Sequence, residues 1–220
     1  MERAAKCEFE RCGEHISGCC VNPIHPFRYP QSPLRRKHGP IGYSKYQHYR
    51  PWLRDEFDFR CVYCLKREQW GSHDSDHELD HQVAKSIAPK LCRKYTNLAY
   101  SCANCNRRKG AKRLPAPEYL GYGACMEVLH DGRIVHHNEL GERLIDELAL
   151  DGRKITDWRA KWIRQTHSNQ QHDWSLFLLW MGFPKNLPDL ENVNPQPKRN
   201  SRPQGIAESW FRIKRPEFYE

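Results

Sequence analysis

The chain has 220 residues, a formal net charge of +9 and a hydrophobic content of 38%, with seven Trp, ten Tyr and eight Phe. That length supports one sizeable core plus smaller extensions, and so many aromatics exclude a wholly disordered protein. The longest nearly continuous apolar run, LFLLWMGF at 176–183, is far short of the ~20 residues that cross a bilayer.

The N-terminal MERAAKCEFE lacks the hydrophobic core of a signal peptide, so a reducing, cytoplasmic location is expected. In that setting the ten cysteines argue for metal ligation over disulfides. Residues 1–45 read as an irregular Cys- and Pro-rich extension, because Pro at 23, 26, 30, 33 and 40 precludes long helices. It opens with C-x4-C-x2-H-x3-C-C. Two readings of Cys7, Cys12, His15, Cys19 and Cys20 stay open: unligated thiols, or a second zinc site that uses one of the adjacent pair.

Residues 46–117 carry the densest chemistry. YSKYQHYRPWLRDEF leads in, with Trp52, Leu53 and Phe57 at helical spacing. Cys61 and Cys64, then Cys102 and Cys105, form two C-x2-C pairs with 37 residues between them. Two such knuckles supply four thiolates to a tetrahedral zinc ion with no open position, a structural site. A redox CxxC would need a thioredoxin-like βαβ pattern, which is absent. Asp80 and His81, in HELDHQVAKS, lie between the pairs and are not needed as ligands of that zinc. His73 and His77 precede them and read as exposed or structural. Asn97 lies sixteen residues beyond His81, and Asn106 directly follows Cys105. From Lys85 to Arg113 there are nine Lys or Arg and no Asp or Glu. Such a run is either a solvated face or an attractor for a polyanion such as nucleic acid. Cys92 and Cys125 have no evident partners.

Residues 118–184 read as a hairpin and helical accessory region. MEVLHDGRIVHH has an Asp131-Gly132 turn between β-compatible flanks. Leu140, Leu144, Ile145 and Leu148 recur at helical spacing, as do Ile155, Trp158, Trp162 and Ile163. A third apolar helix around 173–182 is stopped by Pro184. Residues 185–220 form a Pro-rich basic tail that either wraps the surface or is mobile.

With CVYC, ELDH, TNLAYSCANCN and RRKG in register, residues 55–115 resemble the HNH nucleases, in the form whose last position is Asn. The resemblance implies an α+β fold. Its ββα-metal core carries Asp-His on a β-hairpin and starts a helix near the last Asn, with a mainly helical extension behind it. His81 would act as general base, and Asp80 and Asn106 would hold one Mg²⁺ or Mn²⁺. Asn97 would brace the loop that positions His81. Arg107, Arg108, Lys109, Lys112 and Arg113 would grip flanking phosphates. The implied activity is hydrolysis of phosphodiester bonds, in DNA rather than RNA, to 5′-phosphate and 3′-hydroxyl ends. Restriction or anti-phage defence is the expected setting, with an ATPase partner and a homodimer as candidate assemblies. The rival reading is a non-catalytic zinc module that binds nucleic acid or protein.

Overall fold

The computed structural model describes residues 23–71, 76–193 and 200–213. Cys7, Cys12, His15, Cys19, Cys20 and His73 lie outside them. From Tyr46 a 3-10 turn passes into helix α1 (Arg50–Glu56). Pro51 stands in its first turn, where a missing N–H removes no intrahelical bond. Trp52 and Leu53 are fully buried, and Phe57 follows them inward.

Strands β1 (His77–His81) and β2 (Leu98–Cys102) pair antiparallel, with His77 opposite Cys102 and His81 opposite Leu98. Helix α2 (Ala103–Lys109) starts at the next residue, so β1, β2 and α2 form a ββα unit. The two-residue period of a strand divides β1 into two faces. His77, Leu79 and His81 look toward Tyr100, the α1 cluster and Tyr46. Glu78 and Asp80 look toward Asn106 and Lys109 of α2. β2 is buried along its length and touches both α1 and α2.

Beyond this unit, β3 (Met126–Val128) and β4 (Ile134–His136) form the hairpin expected around Asp131-Gly132. Gly132 sits at φ +87°, and a Cβ there would lie 2.5 Å from the Thr156 carbonyl. Both facts require glycine. Helices α3 (Glu139–Leu148), α4 (Arg153–His172) and α5 (Trp174–Met181) follow. Asn138 caps α3 by accepting from Gly141 N–H, and Asp173 caps α5 by accepting from Leu176 N–H. The buried Arg159 of α4 donates to the carbonyls of Gly132 and Leu150, tying the hairpin turn to the α3–α4 connection.

Two hydrophobic clusters result. One joins the four knuckle cysteines to Phe27, Tyr63, Trp70 and the inner faces of α3 and α4. The other gathers Tyr49, Trp52, Leu53 and Phe57 of the α1 region around Tyr95, Leu98, Ala99 and Tyr100. Of the two readings of the tail, residues 200–213 follow the first and wrap the surface. Ser201 N–H bonds the Gly39 carbonyl, and Trp210 donates to Asp55 and Asp58. Among the described residues no helix is long and apolar enough to cross a membrane.

Candidate metal centre and catalytic cleft

The two knuckles meet as their spacing predicts. The Sγ atoms of Cys61, Cys64, Cys102 and Cys105 all lie within 4.8 Å of one another, and all four residues are buried. Cys64 and Cys102 are 3.7 Å apart. A tetrahedral zinc with 2.3 Å bonds sets its sulfurs roughly 3.8 Å apart, so the cluster has the right size. Local backbone shapes it. Leu65 N–H returns to the Cys61 carbonyl, with Leu65 at φ +59°, and Cys102 Sγ accepts from Cys105 N–H at the start of α2. Burial pushes the Cys61 thiol up, contact with Cys102 raises Cys105, and bonds from Cys105, Cys61 and Cys64 hold Cys102 low. A divalent cation is what would let the set ionise together.

Asp80 is buried and fully engaged. Its Oδ2 accepts from the Tyr63 hydroxyl at 2.6 Å, and its Oδ1 lies 3.0 Å from the Lys109 ammonium. Burial raises the Tyr63 phenol well above its usual range, so it remains a donor. Lys109 also donates to the His81 carbonyl at 2.7 Å. Its 1% exposure departs from the expectation of a phosphate-gripping side chain, because α2 turns it onto β1. Two other residues of the basic run have partners as well. Arg108 donates to the carbonyls of Leu148 and Ala149, and Lys112 pairs with Glu147. Arg107 and Arg113 are exposed.

His81 closes β1 with its ring edge-on to Tyr46, centroids 4.7 Å apart. Nε2 lies 3.0 Å from the Cys92 carbonyl. A carbonyl only accepts, so Nε2 carries the proton and Nδ1 keeps its lone pair. Burial lowers the His81 pKa, which favours the neutral ring near pH 7. Asn97 staples the following loop: its Oδ1 accepts from Val83 N–H, and its Nδ2 donates to the carbonyls of Val83 and Leu91. His77 is structural, buried against Tyr100 and bonded to the Lys66 carbonyl.

Asn106 points into an open cleft of about 390 Å³ lined by Tyr46, Gln47, Arg50, Glu78, Leu79 and Asn106. Its Nδ2 donates to Glu78 at 2.6 Å, which leaves its carbonyl oxygen available to a cation. Sequence reasoning passed over Glu78 and Tyr63. The signal for Glu78 was its place two residues before Asp80, hence on the same strand face. Tyr63 lies inside the first knuckle, and nothing local marks it as a partner of Asp80.

Residues 61–112 match the HNH endonuclease family model. The chain carries an HNH domain. The match begins at the first knuckle cysteine and runs through β1, β2 and α2, so it covers every candidate residue except the N-terminal cysteine and histidine set, Arg113 and the Tyr46 side of the cleft. The HNH domain points to a nuclease or nucleic-acid-binding role that involves a metal ion. No curated protein matches the chain.

Proposed function

We propose that the protein is a metal-dependent HNH endonuclease that hydrolyses phosphodiester bonds in DNA, leaving 5′-phosphate and 3′-hydroxyl ends. The observation that carries this reading is the state of His81. Its Nε2–H is held by the Cys92 carbonyl, its Nδ1 is an acceptor, and burial keeps it neutral. Such a ring takes a proton from a water directed at phosphorus and holds it while the P–O3′ bond breaks.

Asp80 and Asn106 carry the oxygen donors that suit a hard divalent cation, and such an ion would have to take the place of the Lys109 ammonium at Asp80 Oδ1. Mg²⁺ or Mn²⁺ there would supply charge neutralisation on the scissile phosphate and the leaving oxygen. Asn97 keeps the 81–83 turn in place, so that His81 does not rotate away from the water it activates. The four cysteines hold a structural zinc that joins the first knuckle to the β2–α2 junction. Restriction or defence against phage is the setting we favour for such an activity.

Supercoiled plasmid incubated with the protein and Mg²⁺ or Mn²⁺ tests the proposal. Nicking or linearisation should vanish in EDTA and fall by ~10²-fold or more in His81→Ala, with zinc content and fold retained. Wild-type protein that binds DNA but leaves plasmid intact with either metal would instead establish a non-catalytic nucleic-acid-binding module.

A further inference from the structure

Besides the cleft at Asn106, the chain builds a larger, cationic one from segments far apart in sequence. It encloses about 660 Å³ and is walled by Arg35 and Arg36 of the N-terminal extension, Lys94, Arg113 and Arg202 of the tail. Gln82, Val83 and Asn97 also line it, so it opens beside the strand end that carries His81. Its single lining carboxylate, Glu118, is already paired with Arg36 and accepts from Gln82.

The cations divide into two kinds. Arg36 is buried and builds the wall. It donates to the Leu98 carbonyl at 2.6 Å and lies over the rings of Phe57 and Tyr95, while its Nη1 has no partner. Arg202 donates to the Arg36 carbonyl, which fastens the tail to this wall. Arg35, Lys94 and Arg113 are exposed, and among the described residues their side chains form no hydrogen bond or ion pair. Three unpaired cations around one cleft repel one another unless an anion joins them. A chain of phosphates, with charge spread along the cleft, can meet all three.

We propose that this cleft holds the nucleic-acid strand on one side of the cut, binding its sugar-phosphate backbone without reading sequence. The identity of the polyanion rests on the nuclease reading above, but the test measures binding alone and stands whether or not the protein cuts. Labelled duplex is titrated with the His81→Ala protein in EDTA over a range of salt. Replacing Arg35, Lys94 and Arg113 together by Ala should weaken binding and flatten the log–log salt dependence by roughly 2–3 units, about 0.9 per lost phosphate contact. Replacing Lys154, Lys161 and Arg164 of α4 by Ala removes the same charge from exposed helix positions outside the cleft. That variant should change the slope by much less. Circular dichroism and zinc content establish that both variants fold. Equal losses in the two triples would overturn the proposal in favour of net charge alone. Unchanged binding in the cleft variant would also overturn it, and would leave the cleft to an acidic protein partner.

Discussion

At the scale of single residues, the informative case is Lys109. In the sequence it belongs to a basic run, and its neighbours Arg107 and Arg108 are exposed. In the structure it is buried, with Asp80 and the His81 carbonyl as partners. Residues three apart share a helix face, so Asn106 pointing at β1 already implied that Lys109 does the same. Charge composition concealed what helical periodicity contained. Removing one member of a buried ion pair strands the other, at a cost of about 3–5 kcal/mol. Lys109→Met should therefore lower stability by that order in urea denaturation. The double variant Lys109→Met, Asp80→Asn should lose less than the sum of the two single losses, and strict additivity would mean the pair is not coupled.

At the scale of elements, the zinc knuckles and the hairpin were legible because their signals are local. Four cysteines at fixed spacing, and an Asp-Gly turn between β-compatible flanks, each specify their own geometry. The packing between elements was not legible. Cys102 ends β2 and also caps α2, so the four-cysteine cluster sets the angle at which Asn106 and Lys109 meet β1. Metal analysis should find at least one tightly held zinc per chain, and Cys61→Ser should give poorly soluble, zinc-depleted protein. A well-folded preparation free of zinc would show that the four thiols pack without it. The hairpin and α3 approach equally closely at Gly141, where a Cβ would stand 1.9 Å from the Cys125 carbonyl. Gly141→Ala must push α3 off the hairpin. It should lower stability by about 1–3 kcal/mol even though alanine favours helix, a loss that thermal unfolding would register.

At the scale of the whole molecule, the terminal segments contribute more than their composition suggested. Pro-rich chain without periodicity carries no local sign of where it docks, since its partners lie far away in sequence. Trp210 meets Asp55, and Arg202 meets Arg36, across more than 150 residues. The N-terminal segment reaches the β3–β4 turn in the same way. His25 lies edge-on to His130, with centroids 5.2 Å apart, and its Nδ1 accepts from Phe27 N–H. Burial first, then His130, lowers the His25 pKa below its usual 6.5, with Arg28 acting in the same direction, against a hydrogen bond to the Leu129 backbone and the weaker pull of Glu127. The folded protein thus resists a proton that the unfolded chain accepts at about 6.5. The stability from this contact is complete above pH 6.5 and declines as pH falls from there toward the lower folded value. His77 and His81 are lowered by burial too and add to the same decline. Urea denaturation at pH 8 and pH 6 should therefore show the wild type weaker at pH 6. His25→Gln, which has no proton to gain, should lose part of that difference and keep the remainder. An unaltered pH dependence in the variant would mean that the N-terminal segment does not sense protonation at this contact.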